Sequence, residues 1–296
     1  MCSYTALKPS HTGLSTSTCI LFADDISIIL SCKYDIEINN SINSIVKWLT
    51  ENNLHANLTK TQYIQLLTYQ TTIIHRTLIY NDITLNEASH TKFLGIILDK
   101  FCNWKKHTES VCNKVNSFVY VLNRLRTTST LQTVLLAYHG YVSAVLRYGL
   151  ILWGNSTDVQ RAFLSQKRCI RAIVGIPPFE SCKPHFKELK ILPLPGMYIF
   201  EICVFVKTNP TIFVKAKDVY PRNLVLRGYT SGGERLVVDV APRTTLYQKN
   251  CYFMCIKIFN KVPTDIQELP LSIFKRKLKM LLLDRMIYSV AEWLIK

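Results

Sequence analysis

Acid is scarce in this sequence. Twenty Asp and Glu face 36 Lys and Arg over 296 residues, a net charge of +16. No Asp or Glu occurs before position 24. The first ten residues have no apolar stretch of the kind a secretory leader carries. No repeat and no low-complexity tract is present, and an apolar content of 48% argues against wholesale disorder. The ten cysteines fall at no framework spacing, which points to free thiols in a reducing, intracellular compartment. Cys251 and Cys255 lie four apart, and Cys182 precedes His185 by three. Either set offers two metal ligands, but neither has a second pair at zinc-knuckle spacing, so packed core thiols are the plainer reading.

One apolar run, Leu131 to Trp153, is long enough to raise the question of a membrane. It holds His139, Arg147 and several tyrosines, so it reads as a buried helix and no membrane partner is expected.

What is present is unevenly spread. Residues 1–100 hold seven Lys/Arg and eight Asp/Glu, a balance of −1. Residues 101–296 hold 29 against 12, a balance of +17. An excess of that size on the later two-thirds suggests a polyanionic partner, with a solvated basic surface as the alternative.

Thr18–Phe22 and Ile26–Leu30 read as two strands around Ala23-Asp24-Asp25. Ile38, Ile42, Ile45, Val46 and Leu49 form one helical stripe. Further strands are expected at Tyr63–Leu67 and Lys92–Leu98, with a hairpin over 77–85. Helices follow, with stripes through Val111–Leu122, Leu131–Leu152 and Val159–Val174. Gly175-Ile176-Pro177-Pro178 breaks the last and reads as a domain boundary. Beyond it lie a helix near 198–207, a strand at Leu236–Val240, a helix over about 246–260, and another capped by Ser272.

Two adjacent carboxylates repel each other, and a divalent cation relieves that, since it prefers oxygen ligands. By itself the pair reads as an ordinary polar turn. In its setting, Phe22-Ala23-Asp24-Asp25 resembles the catalytic hairpin of reverse transcriptases of non-LTR (LINE, jockey-like) retrotransposons. Asn57-Leu58-Thr59-Lys60-Thr61 resembles the family's next motif, and Lys92-Phe93-Leu94-Gly95-Ile96-Ile97 its primer grip. Ala137-Tyr138, Arg147-Tyr148-Gly149 and Leu152-Trp153-Gly154 resemble its thumb helix, and Gln166-Lys167-Arg168 with Arg171-Ala172-Ile173-Val174-Gly175 the element after it. Cys182–Leu189, Ile191–Pro195 and Phe259-Asn260-Lys261-Val262-Pro263 match its C-terminal region.

The resemblance implies an α+β fold: a partial palm over 1–100, a helical thumb over 101–175 and a mixed basic domain over 176–296. It implies RNA-directed DNA synthesis with Mg²⁺ or Mn²⁺ on Asp24 and Asp25, and Lys60 as proton donor. Phe93, Leu94 and Gly95 would seat the primer. Lys105, Lys106, Arg124, Arg126, Lys167, Arg168 and Arg171 would face an RNA template and DNA primer. The family places a third metal-binding aspartate and the fingers upstream. Residues 1–23 hold no acid, so the expectation is a truncated enzyme, inactive alone, needing an upstream-encoded palm and fingers segment. The alternatives are a non-catalytic nucleic-acid-binding module or a retroelement relic. The edge of such a palm, left unpaired, would favour aggregation.

Overall fold

The computed structural model describes residues 17–22, 25–31, 35–55, 57, 59–67, 76–80, 83–219, 235–237 and 250–295. They form an α+β protein of two compact units, Met1–Thr91 with Asp99–Phe101, and Lys92–Leu98 with Cys102–Lys296.

In the first unit β1 (Ser17–Phe22) pairs antiparallel with β2 (Asp25–Leu30), setting Phe22 opposite Asp25. The helix α1 (Asp35–Glu51) opens with Asp35 and Glu37, acids that suit the positive end of the helix dipole. It buries Ile38 and Leu49, the two ends of the stripe. Ile38 meets Leu78 and Leu85 in a small core, with Leu30, Ile42 and Tyr63 packed against it. The strands here are short. β3 (Gln62–Tyr63) runs parallel to β6 (Asn86–Glu87), and β4 (Ile79–Tyr80) antiparallel to β5 (Ile83–Thr84). The strand expected over 63–67 thus ends at Tyr63. In the later part of that run Leu67 N–H donates to the Lys100 carbonyl at 2.8 Å.

The strand expected over 92–98 is a hairpin. β7 (His90–Phe93) turns back into β8 (Ile96–Asp99) through Leu94 and Gly95, at φ +45° and +83°. Two successive left-handed residues give the tight turn whose twist suits a hairpin. The tip belongs to the second unit.

That unit is helical. Its core runs unbroken from Val111 to Trp293. α2 (Lys105–Thr128) packs along α6 (Val159–Val174). Between them lies the long apolar run, and it is not one helix. α3 (Leu131–Ala137), capped by the Thr130 hydroxyl, widens into a π-helix at Tyr138–Ser143 and tightens again as α4 (Ala144–Arg147). Tyr148 leaves the helix and Gly149, at φ +60°, starts α5 (Leu150–Trp153). The spacing explains the π-helix. Tyr138, Val142, Leu146 and Leu150 are all buried and all four apart. An α-helical stripe spaced by four drifts about 40° per step. The wider i→i+5 turn rewinds it toward the core.

Gly175, at φ +84°, caps α6. The residues on both sides of it lie in the second unit. α7 (Lys183–Glu188) and α8 (Leu194–Thr208) join the same core. Gln166 of α6, fully buried, explains why the chain returns. Its Nε2 donates to the Tyr138 hydroxyl and the Leu192 carbonyl, both at 3.0 Å, and its Oε1 accepts from Leu194 N–H at 2.7 Å. Then come β9 (Val214–Lys215), α9 (Ala216–Val219), β10 (Leu236–Val237), α10 (Cys251–Phe259), α11 (Thr264–Gln267), α12 (Leu271–Arg285) and α13 (Val290–Ile295). β10 pairs with β9 and ends at Val237; residues 238–240 of the expected strand lie outside the described residues. The cap of α12 is Pro270, with Ser272 already inside the first turn. Among the described residues no helix is long and apolar enough to cross a membrane.

Candidate nucleic-acid interface

Asp25 stands at the first position of β2 with its side chain exposed. Asp24 and Leu58 lie outside the described residues. Lys60 is exposed on a turn built by Asn57. The Asn57 carbonyl accepts from Lys60 N–H at 3.1 Å and Thr61 N–H at 3.0 Å, while its Oδ1 accepts from the Thr59 hydroxyl at 2.7 Å. Asn57 therefore staples a turn that presents Lys60. No ion pair joins Lys60 to Asp25 among the described residues. No group of three His, Cys, Asp or Glu among the described residues could hold a metal ion.

The hairpin tip has a built seat. The Tyr148 hydroxyl donates to the Leu94 carbonyl. A Cβ at Gly95 would come within 3.2 Å of the Tyr148 ring, so the glycine lets ring and turn lie together. One residue on, Gly149 lies against Ile96, where a Cβ would meet Cδ1 at 2.4 Å. Trp153, fully buried, donates from its indole nitrogen to the Tyr148 carbonyl at 3.0 Å. His107 lies edge-on to Trp153 with ring centres 5.6 Å apart. Its Nδ1 accepts from Ile97 N–H at 3.3 Å. The contacts thus run in a closed ring: Leu94, Tyr148, Trp153, His107, Ile97 and back along β8.

His107 has to be neutral to accept that bond. Burial, with Lys114 nearby, holds its pKa below the ordinary value. Sequence reading missed His107, since a histidine after two lysines at a helix start gives no sign of the strand it meets. Four aromatics of the long apolar run, Tyr138, Tyr141, Tyr148 and Trp153, divide by burial. Tyr138 and Trp153 are fully buried, whereas Tyr141 and Tyr148 are exposed by 37% and 54%. Tyr148 keeps its ring at the surface because its hydroxyl is engaged with the tip.

The seven cations differ in what they touch. Lys105 and Lys106 are exposed at the start of α2. Arg124 is exposed and folds back over Tyr120, its Nε donating to the phenol oxygen at 3.2 Å. Arg126 lies beside Gly175, where a Cβ would come within 2.7 Å of its guanidinium. Arg168, exposed, reaches Asn116 Oδ1 at 3.3 Å. Lys167 is packed, its Nζ 4.3 Å from the centre of the Phe163 ring and 4.6 Å from that of Tyr288. Burial lowers its pKa. Arg171 donates to the Glu180 carbonyl at 3.0 Å and has its Nε buried. Lys167 and Arg171 therefore serve packing first, which the charge pattern concealed. α12 adds Lys275, Arg276, Lys277 and Lys279, all exposed.

The C-terminal motif has a structural role. Asn260 donates to the Leu236 carbonyl at 2.8 Å and accepts from Leu236 N–H at 3.0 Å, fastening β10.

Comparison with protein-family models, with curated proteins and with solved structures finds no match for this chain.

Proposed function

We propose that the chain is the part of a non-LTR retrotransposon reverse transcriptase that runs from the catalytic hairpin through the thumb. What carries the reading is the seat of the hairpin tip. The Phe-Leu-Gly-Ile motif and the Arg-Tyr-Gly motif, chosen from sequence alone, meet through Leu94 and Tyr148 across 54 residues. A primer grip needs such a rigid tip, since a primer terminus misplaced by about 1 Å costs on the order of 10²-fold in rate.

In this reading Asp24 and Asp25 hold the divalent metal. Asp25 fits the role in chemistry: an exposed carboxylate at a strand start, next in sequence to a second, is a hard oxygen donor of the kind Mg²⁺ takes. A divalent metal held by these carboxylates would supply the Lewis-acid chemistry that nucleotidyl transfer needs at the 3′-hydroxyl and the leaving pyrophosphate. Lys60, on its Asn57-built turn, is the candidate proton donor to that pyrophosphate. Residues 1–23 offer no third acid. The 296-residue chain assayed alone is therefore expected to be silent, since loss of substrate orientation is worth about 7–11 kcal/mol, at least roughly 10⁵-fold.

The identity is tested by photo-crosslinking. A photoreactive residue at Phe93 is expected to label the 3′-terminal nucleotide of the DNA strand in an RNA–DNA duplex. Labelling spread evenly along the duplex, or none, overturns the reading. Template-dependent extension by the chain alone, lost in Asp24→Ala, would overturn the silence while supporting the metal assignment.

A further inference from the structure

Cys251 and Cys255 face each other one turn apart on α10, with their sulfurs 3.9 Å apart. Cys255 is fully buried and Cys251 half-buried. Cys251 is the first residue of the helix, after the Asn250 cap, whose Oδ1 accepts from Phe253 N–H at 2.8 Å. Thiolates are favoured at helix starts, where unpaired N–H groups gather. The hydrogen bond from Cys255 holds the Cys251 thiol below its ordinary pKa, and the same bond, with burial, pushes Cys255 up. The half-buried thiol of Cys251 thus stands at the helix start with the buried Cys255 sulfur 3.9 Å from it.

Other buried thiols are differently placed. Cys169 points at the Val115 carbonyl and Cys182 at the Lys167 carbonyl, both at 3.7 Å.

We propose that Cys251 and Cys255 are a reversible dithiol, oxidised to a disulfide by a hydroperoxide. The Cys251 thiolate attacks a peroxide oxygen. An S–O bond forms as the O–O bond breaks, and the departing oxygen takes a proton and leaves as water or alcohol. The Cys255 sulfur then attacks the Cys251 sulfur. The S–S bond forms as the S–O bond breaks, and the hydroxide leaves as water with the Cys255 proton. Two thiols are oxidised and one peroxide is reduced.

The helix sets the character of this bond. Cβ atoms four apart on a helix lie about 5–6 Å from each other, and a disulfide wants about 3.5–4.5 Å. The first turn of α10 has to open, releasing the Asn250 cap and the stacking of Tyr252 on Phe213, whose rings are 5.5 Å apart. The far end of α10 stays fastened, because Trp293 donates to the Ile258 carbonyl at 3.1 Å. A bond that strains its helix is easily reduced, which suits a switch better than a staple.

The full chain, treated with hydrogen peroxide and then alkylated, tests this in the tryptic peptide Asn250–Lys257. The expected result is loss of alkylation at both cysteines and of two hydrogens from the peptide, reversed by a thiol reductant. Cys251→Ser should abolish the change. Cys255→Ala should leave a sulfenic acid at Cys251 that dimedone traps. Cys203→Ser should leave the pairing intact. Two thiols that stay alkylatable, oxidation past sulfenic acid without pairing, or a Cys255–Cys203 bond would each overturn the proposal, and all three are read on the wild-type chain.

Discussion

A Cβ at Gly149 would stand 2.4 Å from Ile96 Cδ1, so the break between α4 and α5 and the start of β8 are fitted to each other. Gly149→Ala adds two penalties: the left-handed φ of +60° and the clash. A loss of about 1–3 kcal/mol in urea unfolding is expected. Ile96→Val removes Cδ1 and should recover the clash part when combined with Gly149→Ala, leaving the backbone part. Strict additivity of the two changes would show that the residues do not meet.

Gln166 is the polar centre of the second unit. Gln166→Leu leaves the Tyr138 hydroxyl, the Leu192 carbonyl and the Leu194 amide without this partner. Each buried orphan costs about 1–3 kcal/mol. The thermal midpoint should fall sharply, and Tyr138→Phe should fall less. In the double variant Tyr138→Phe should cost almost nothing further, since its partner is already gone. Equal costs of Tyr138→Phe in both backgrounds would refute the bond.

Stability should fall on mild acidification. His107 is held neutral by burial, with a folded pKa below the ordinary 6.5. Above that value the folded and unfolded rings are both neutral and nothing is lost. As pH falls through it, the unfolded ring takes a proton that the folded ring refuses, and stability declines until the folded pKa is passed. Urea midpoints measured from about pH 7 to about pH 5 should slope less in His107→Gln than in the wild type. Identical slopes would assign the pH dependence to other groups.

If the second unit holds a nucleic acid, its cations should separate by salt. Alanine at Lys105, Lys106 or Arg168 should flatten the dependence of duplex affinity on salt by about one unit of log–log slope each. Alanine at Lys167 should instead lower the unfolding midpoint, because that ammonium lies over Phe163 and Tyr288. A flat wild-type slope would remove the polyanion from the account.

Much of this was legible in the sequence, and the failures have physical causes. The stripe of α6 is regular and ends in a glycine that can take a positive φ, so its limits matched the expectation of Val159–Val174. The β1–β2 strands and α1 were equally plain. Lys92–Leu98 looked like one strand because Leu94, an apolar residue, gives no warning that it will take φ +45°. Leu131–Leu152 looked like one helix because its stripe was read for apolar content and not for the drift of a four-residue spacing. Gly175-Ile176-Pro177-Pro178 looked like a linker, and only the buried bonds of Gln166 to residues 192 and 194 show that the chain turns back into the same core. At the candidate site, the motif residues were visible one by one. What tied the tip to the helix, His107 and Trp153, was visible only in space.

The π-helix at Tyr138–Ser143 has a consequence for how this chain can change length. A π turn holds one residue more than the α turn it replaces, and Gly140 sits in it with open space where a Cβ would go. Losing that residue would let the segment close into ordinary α-helix while Val134 before it and Leu146 after it keep their places. The helix carries at its middle a residue that its core contacts do not require, so deletion of Gly140 should cost less stability than deletion of a residue in α3 or α4.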